Sequence, residues 1–235
     1  MVKIIIEAQQ FINLLPLTSN EDTRYYLKGV YIERDKSSAL NLVATDGTVL
    51  GFYQVLDKYF TNFNLNQKGG DKGLIVGVSK DFETATKKRI KTNDKMNLNT
   101  YLIIDGDLVN NQAIIAGVPK QDAVLSIFDS IIESGAKSKY WQLAEGGVLI
   151  DGTYPDYKRV MPDQKLAEGA IISVDLKNLM RFDHLAANGG RCSQLTILAT
   201  DQNGPMLVRT WDETFTGVVM PMKINSKHIL VMPTK

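Results

Sequence analysis

The chain has 235 residues and a nearly balanced charge, because 27 Lys and Arg residues offset 26 Asp and Glu residues to leave +1. This balance excludes a protein that coats nucleic acid through bulk positive charge, although it permits basic residues gathered on one surface. The length and the 44% hydrophobic content suit one large domain or two modest ones. The single cysteine, Cys192, fits a reducing compartment. No stretch approaches the ~20 apolar residues of a transmembrane helix, and the first ten residues lack a signal-peptide pattern, so we expect a soluble, cytoplasmic protein.

The first 58 residues predict one β-α-β-β-β unit. Lys3–Glu7 is a short apolar run, and Ala8–Leu15 has helical spacing until Pro16 removes a helix hydrogen bond. Strands are then predicted over Arg24–Glu33, Ala39–Thr45 and Thr48–Val55. The last two strands flank Asp46-Gly47, and Asp-Gly between apolar runs is a strong hairpin signal.

The same order recurs twice along the chain. In the second copy a strand at Gly73–Val78 leads through Ser79, a suitable N-cap, into a helix over Lys80–Lys91. Its later strands are predicted at Tyr101–Ile104 and Gln112–Gly117. In the third copy the predicted elements are a strand at Ile171–Val174, a helix at Asp175–Ala187 and strands at Leu195–Thr200 and Met206–Arg209. Repetition of such a unit predicts that the copies share continuous sheets.

Two segments fall outside this pattern. Gln121–Gly135 has helical spacing and is interpreted as an inserted helix, with an apolar edge strand as the alternative. Thr61–Lys72 is polar and contains paired glycines, which is typical of an exposed loop. The predicted organisation is a domain of two units over 1–163, with an inserted segment near 119–140, followed by a third unit and a short extension over 164–235.

Basic residues gather on two of the predicted helices. On Lys80–Lys91 the apolar stripe is Phe82, Ala85, Thr86 and Ile90, and the opposite face carries Lys80, Lys87, Lys88 and Lys91. On Asp175–Ala187 the predicted inward residues are Leu176, Leu179, Met180 and Ala187, and the outward residues are Lys177, Arg181 and His184. A lysine-rich stripe is often only a solvated face. Its recurrence in a repeated unit favours a surface that contacts DNA phosphates without base readout.

The residues that could carry out catalysis are few. His184, His228 and Cys192 are the candidates for nucleophilic or metal chemistry, and neither a Cys-x-x-Cys pair nor a phosphate-binding glycine loop appears. Asp46, Asp105, Asp151 and Asp201 all stand at predicted strand ends, where Asp commonly forms turns. We therefore expect no enzymatic activity, no metal and no cofactor.

Four separated segments together point to a known family. They are RYYLKGVYIE at 24–33, VATDGTVL at 43–50, YPDYKRVMP at 154–162 and VVMPMKI at 218–224. In this order they resemble the bacterial DNA polymerase III beta subunit, the DNA sliding clamp. The resemblance implies an α+β DNA clamp fold, in which β-α-β-β-β half-modules place helices on one face of continuous antiparallel sheets. It also implies a non-enzymatic ring that encircles duplex DNA, is opened by a clamp loader and tethers DNA polymerase.

The resemblance also implies a hydrophobic pocket for partner peptides. Its floor is Leu27, and its walls are Thr45, Gly47, Thr48, Val49 and Leu50 on one side and Pro155, Arg159 and Val160 on the other. Val218, Met220, Pro221 and Met222 close the pocket, while Arg24, Arg159 and Lys223 orient the peptide at the rim. Methionine is adaptable and suits related apolar anchors. A plain core strand is the alternative interpretation of the 218–222 run.

The chain departs from the family pattern in three respects. Thr48-Val49 replaces a His-Arg pair, Lys223 replaces an arginine, and residues 225–235 continue past the usual end. The family has three domains of two half-modules each, whereas three half-modules are recognised here and 121–135 is the one candidate remnant of a fourth. The family's rings contain twelve half-modules, so four half-modules per chain would close a ring as a trimer, and three would require a tetramer. Such a short, divergent clamp suits a phage or mobile element. A non-encircling adaptor or inhibitor that binds polymerase-type peptides is the alternative function.

Overall fold

The computed structural model describes residues 3–34, 39–55, 73–105, 112–119, 141–145, 147–161, 173–188, 195–199, 204–210 and 214–222. The predictions for 61–72, 121–135 and 225–235 lie outside these ranges, as do Cys192, Lys223 and His228. The chain divides into two compact units. The first unit is Met1–Asp46 with Phe52–Tyr154, and the second unit is Gly47–Gly51 with Pro155–Lys235.

The described elements follow the predicted order closely. The strands are β1 (Lys3–Glu7), β2 (Val30–Arg34), β3 (Leu40–Thr45), β4 (Val49–Val55), β5 (Leu74–Val78), β6 (Leu98–Asp105), β7 (Gln112–Pro119), β8 (Trp141–Glu145), β9 (Gly147–Ile150), β10 (Leu195–Ala199), β11 (Met206–Thr210) and β12 (Phe215–Val219). The helices are α1 (Ala8–Leu14), α2 (Lys80–Lys95), α3 (Leu176–Met180) and α4 (Asp183–Asn188). Short 3-10 helices span Leu15–Leu17, Asp22–Leu27 and Tyr157–Val160.

The two repeats of the first unit exchange their first strands. β1 belongs to the first repeat but pairs antiparallel with β6 of the second, and β5 belongs to the second repeat but pairs antiparallel with β2 of the first. One sheet therefore has the order β1-β6-β7-β8, and the other sheet contains β4-β3-β2-β5-β9. α1 and α2 pack against each other and against β6. Because each repeat supplies a strand to the other, the two fold as one body around Phe11, Leu14, Phe82 and Tyr101, all of which are buried.

The second unit is built from the third repeat and the start of β4. Its strand order is β10-β11-β12-β4, and β10, β11 and β12 pair antiparallel in sequence. α3 and α4 meet at Phe182, which is fully buried with its ring 6.0 Å from the ring of Phe215. A Cβ atom at Gly217 would lie 2.7 Å from Phe182 Cε1, so glycine at this strand position makes room for the ring. Met222 N–H donates to Ser173 O over 2.8 Å and continues the pairing beyond β12.

The predicted helix over Asp175–Ala187 is wrong as a single element. It divides into α3 and α4, because Phe182 N–H donates to Leu179 O at 3.1 Å, a tighter turn than the α-helix makes. This turn places Phe182 in the core. Leu176 and Met180, which we predicted to face inward, are instead 64% and 61% exposed.

Two other expectations require correction. The strand predicted at Arg24–Glu33 begins only at Val30, because Asp22–Leu27 forms two short 3-10 turns with a kink at Arg24. The carbonyl of Leu27, at the end of the second turn, accepts from Ser19 N–H at 2.9 Å. β8 and β9 were not predicted. By contrast, the Ser79 N-cap is confirmed, since its hydroxyl accepts from Phe82 N–H at 3.2 Å.

Candidate functional site

The second unit brings together two of the motifs that are distant in sequence. Met220 N–H donates to Thr48 O over 3.0 Å, which joins the segment after β12 to the start of β4. Val49, Leu50 and Val218 are buried and anchor this junction. Gly47 has a φ of 95°, a conformation that favours glycine, and so turns the chain into β4.

Two methionine side chains remain exposed at this junction. Met220 is 39% exposed and Met222 is 53% exposed, while Pro221 between them is half-buried. Val218 and Val219 are both buried, so side-chain exposure begins only at Met220, after the end of β12. The run at 218–222 is therefore a core strand that ends in exposed, adaptable apolar groups.

The segment around Pro155, Arg159 and Val160 is also on the surface of the second unit. Buried Tyr157 anchors the 3-10 helix Tyr157–Val160, and Lys158 Nζ lies 5.6 Å from the centre of its ring. Arg159 Nε lies 3.0 Å from Asp156 Oδ2, and the arginine side chain is 83% exposed. An ion pair this exposed contributes little to stability, so the guanidinium group can exchange to an incoming acidic partner.

The remaining pocket residues of the sequence prediction belong to the first unit. Leu27 and Thr45 are buried there, whereas the side chain of Arg24 is 50% exposed. Arg24 donates to Asp46 O at 3.4 Å, and its Nε lies 3.5 Å from Glu21 Oε2. These contacts hold Arg24 beside the turn that follows β3.

The first unit contains aromatic residues next to Arg24 that the sequence prediction missed. Tyr25 is 50% exposed and packs edge to face against Tyr26, with ring centres 5.8 Å apart. Gly152 supports Tyr26 from behind, since a Cβ atom there would lie 2.9 Å from Tyr26 Cβ. The adjacent Tyr pair in the RYYL run was the available signal, but a predicted strand at this position would have placed the two rings on opposite faces.

Tyr154, the first residue of the third motif, has a structural role. Its ring stacks on Tyr31 at 4.5 Å with the planes 4° apart, and its side chain is buried. Burial raises the pKa of the Tyr154 hydroxyl, and the backbone of Thr45 offsets this only in part. The phenol therefore stays neutral at physiological pH and fixes the end of the first unit without contributing charge.

The basic surface of α2 is as the sequence predicts. Lys80, Lys87, Lys88 and Lys91 are all exposed, while Phe82, Thr86 and Asn93 on the opposite side are buried. With about 3.6 residues per turn, the lysines occupy roughly a third of the helix circumference. Lys87 pairs with Glu83 one turn earlier at 2.5 Å, an exposed contact that contributes little to stability.

Lys95 extends this surface and was missed because the predicted helix ended at Lys91. α2 continues to Lys95, and Asn97 with a φ of 58° follows its end. Asn93 Nδ2 donates to Thr100 Oγ1 at 3.0 Å and anchors the last turn to β6. Asn at this left-handed position is the signal that would have extended the prediction. We call Lys80, Lys87, Lys88, Lys91 and Lys95 the lysine stripe.

The third repeat presents less basic surface than predicted. Lys177 on α3 is exposed, but Arg181 and His184 are half-buried. Asp175 caps α3 by accepting from Lys177 N–H at 2.8 Å, as an N-cap residue does. In the described part of the chain no group of three or more His, Cys, Asp or Glu side chains could hold a metal ion. None of the described helices is long and apolar enough to cross a membrane.

The fold is that of known sliding clamps. The chain is similar to the DNA polymerase III beta subunit of Pseudomonas aeruginosa (TM-score 0.58, 15% identity) over 95% of its own length and 66% of that chain. It is similar to the beta subunit of Borrelia burgdorferi in complex with a natural product (TM-score 0.57, 13% identity) over 95% of its own length and 65% of that chain. It is also similar to the beta subunit of Thermotoga maritima (TM-score 0.54, 12% identity) over 95% of its own length and 66% of that chain. No protein-family model and no curated protein sequence matches the chain. It therefore has the α+β clamp fold and spans about two thirds of the length of these structures.

Proposed function

We propose that the protein is a DNA sliding clamp, a processivity factor that encircles duplex DNA and tethers a polymerase and other partners. The observation that carries the proposal is the clamp fold, which extends over 95% of the chain. The structures it resembles are named as DNA polymerase III beta subunits. Such a protein acts by enclosing the duplex and holding its partner there, and it needs no catalytic residue.

The lysine stripe supports contact with DNA. It extends over about 22 Å of helix, at about 1.5 Å per residue, and its side chains reach solvent. Lysines attract phosphates without reading bases, and this attraction weakens with salt. A few weak contacts of this kind suit a protein that must move along the duplex.

Partner binding is proposed for the exposed apolar groups of the second unit. Met220, Met222 and Val160 are 39%, 53% and 38% exposed, and Arg159 supplies a charge that orients a peptide. The rest of the proposed site belongs to the same unit and consists of Thr48, Val49, Leu50, Pro155, Val218 and Pro221. Arg24, Leu27 and Thr45 in the first unit, and Lys223, stay predictions from the sequence resemblance.

Encirclement is tested with a linear duplex whose ends carry biotin. The protein is allowed to thread onto the open duplex, streptavidin then blocks both ends, and the salt concentration is raised to break phosphate contacts. A closed ring of several copies is expected to stay on the blocked duplex and to leave after a restriction enzyme cuts it. Equal loss from blocked and unblocked duplex would contradict encirclement.

The lysine stripe is tested by the double variant Lys87→Glu with Lys88→Glu. Because two attractive charges become repulsive, we expect a several-fold loss of duplex affinity at low salt, measured by fluorescence anisotropy. Peptide binding should not change. The control is Lys28→Glu, which replaces a lysine that pairs with Asp22 away from the stripe. If the double variant bound duplex as the wild type does, α2 would not face DNA.

The peptide site is tested by Met220→Ala with Met222→Ala. Loss of two exposed anchors should weaken a clamp-binding peptide by about tenfold or more, measured by fluorescence polarisation. Met96→Ala, a methionine 41% exposed in the first unit, is the matched control. Unchanged peptide affinity would remove this site from the proposal.

A non-encircling adaptor is the second candidate. It is favoured by the third repeat, which presents less basic surface than the sequence predicts, since Lys177 is exposed but Arg181 and His184 are half-buried. An adaptor would bind the peptide through Met220 and Met222, yet it would leave the blocked and the unblocked duplex equally.

A further inference from the structure

One apolar run of the sequence has no role in the proposed function. Residues 229–233 are Ile-Leu-Val-Met-Pro, and Lys227-His228 and Thr234-Lys235 flank them. A row of five apolar residues is unfavourable in water, whereas segments that stay solvated are typically rich in polar and charged residues. The composition therefore favours binding to an apolar surface. We call residues 229–233 the apolar run.

An exposed apolar surface lies a short distance before this run in the chain. Met220 and Met222 are 39% and 53% exposed just after β12. Six residues separate Met222 from Ile229, so the run begins no more than about 25 Å from Met222, at no more than about 3.6 Å per residue. Asn225-Ser226, at the middle of those six residues, are of types that favour turns. A reversal there would place Ile229 opposite Met222 and Val231 opposite Met220.

The backbone donors beside these methionine side chains are already used. Met220 N–H donates to Thr48 O over 3.0 Å, and Met222 N–H donates to Ser173 O over 2.8 Å. Pro221 has no N–H group to donate. Residues 220–222 therefore have no backbone donor left for an added strand. What they present to a ligand is the two thioether side chains, which adapt to apolar partners of different shape.

Another exposed apolar surface of the second unit is the Leu176–Met180 face of α3, but the direction of the chain favours the methionines after β12. Met222 pairs antiparallel with Ser173, which leads into α3. In an antiparallel pair the two segments run in opposite directions, so the chain leaves Met222 away from α3. Met220 and Met222 are therefore the better-placed surface for the apolar run.

We propose that the apolar run binds Met220 and Met222 of its own chain and so competes with partner peptides for the proposed peptide site. A ligand joined through a linker this short has an effective concentration in the millimolar range. At a few millimolar, a run that binds with a dissociation constant of about 1 mM lowers the affinity of a competing peptide about three- to tenfold. The run is then a regulatory element, because a partner must displace this weak internal competitor before it binds.

Binding of the apolar run is tested by NMR on the full chain with isotope-labelled methionine methyl groups, assigned by single Met→Leu variants. The full chain is compared with a variant of the same length, Leu230→Asn with Met232→Asn. Because the variant loses two apolar side chains of the run, we expect the methyl signals of Met220 and Met222 to move toward their positions in a chain shortened to residues 1–224. Unmoved signals would overturn the inference.

The matched control for this experiment changes polar residues of the same segment, Ser226→Asn with Thr234→Asn, and should move no methionine signal. Met96 and Met180, which are 41% and 61% exposed, are internal references whose signals should stay in place in every variant. If the Leu230→Asn, Met232→Asn variant moved the signal of Met180 instead, the run would lie on α3 and the inference would be wrong.

Competition is tested by fluorescence polarisation with the clamp-binding peptide. The Leu230→Asn, Met232→Asn variant and the chain shortened to residues 1–224 should bind the peptide about three- to tenfold more tightly than the full chain. The Ser226→Asn, Thr234→Asn variant should bind it as the full chain does. Equal affinity in all four proteins would overturn the competition.

The competition rests on the proposed function, and the two experiments separate their failures. If the clamp-binding peptide bound none of the four proteins, the proposed peptide site would fail, and the competition would fail with it. If the peptide bound all four equally while the Met220 and Met222 signals moved, the peptide site would stand and the apolar run would not regulate it.

Discussion

The first unit holds two β-α-β-β-β repeats and the second unit holds one, so the same element occurs in paired and single form in one chain. In the first unit the strand after each helix lies inside a sheet, and its inward residues, such as Ile32 and Leu102, are fully buried. In the second unit the corresponding strand, β10, has a neighbour on one side only among the described strands, and Ile197 is 43% exposed. The comparison teaches that this repeat does not bury its own apolar surface and requires a second repeat to do so.

Removing one buried ring from each unit should have the largest effect. Phe82 is 2% exposed on the buried side of α2, and Phe182 is fully buried between α3 and α4. Each Phe→Ala change should therefore lower the free energy of unfolding by about 3–5 kcal/mol. Hydrogen exchange with mass spectrometry would resolve the loss unit by unit. Met180→Ala, at an exposed position two residues from Phe182, should change stability by less than about 0.5 kcal/mol. An equal loss for Met180→Ala and Phe182→Ala would contradict the burial difference along α3.

A medium effect is expected from crowding a strand glycine. A Cβ atom at Gly217 would lie 2.7 Å from the rigid Phe182 ring, so Gly217→Ala should destabilise the second unit by about 1–3 kcal/mol. Gly77→Ala in the first unit is the matched control, because its Cβ atom would meet the flexible end of Ile150 at 3.0 Å. Urea denaturation should show a clearly smaller loss for the control. If the two losses were equal, the packing of Phe182 on Gly217 would be less tight than described.

The two capped helices permit a comparison of smaller size. Ser79 caps α2 and Asp175 caps α3. Alanine at either position should lower the free energy of unfolding by about 1 kcal/mol. Ser79→Asp and Asp175→Asn keep an acceptor and should retain most of the stability, measured by thermal unfolding. Alanine and the acceptor-keeping variants would unfold alike if the caps were not formed in solution.

The smallest effect concerns one lysine of the stripe. Lys95→Ala removes one proposed phosphate contact and should lower the slope of log affinity against log salt by about 0.9. Lys177→Ala tests whether the third repeat contributes an equal contact, which we expect because Lys177 is exposed. Lys28→Ala is the control and should leave the slope unchanged. If Lys95→Ala left the slope of log affinity against log salt unaltered, Lys95 would not contact phosphate and the DNA-contacting part of the lysine stripe would end at Lys91.

The sequence predicts the parts of the fold that depend on neighbouring residues. Pro16 in the 3-10 turn that ends α1, the Asp46-Gly47 turn and the Ser79 cap act within a few residues, and each was found from local patterns. The lysine stripe follows from helical periodicity for the same reason. The candidate pocket was only partly accessible in this way, since the hydrogen bond from Met220 to Thr48 joins segments about 170 residues apart.

From the sequence alone one obtains the β-α-β-β-β order of the repeats, because hydrophobic period and turn chemistry are written in adjacent residues. Only the tertiary structure decides that β1 and β5 exchange between repeats, that Arg24 stands at a kink between two 3-10 turns and that Phe182 divides the predicted helix at Asp175–Ala187. It also decides that Leu176 and Met180 face solvent. The physical reason is that each of these outcomes depends on contacts between residues far apart in the chain, which no local pattern encodes.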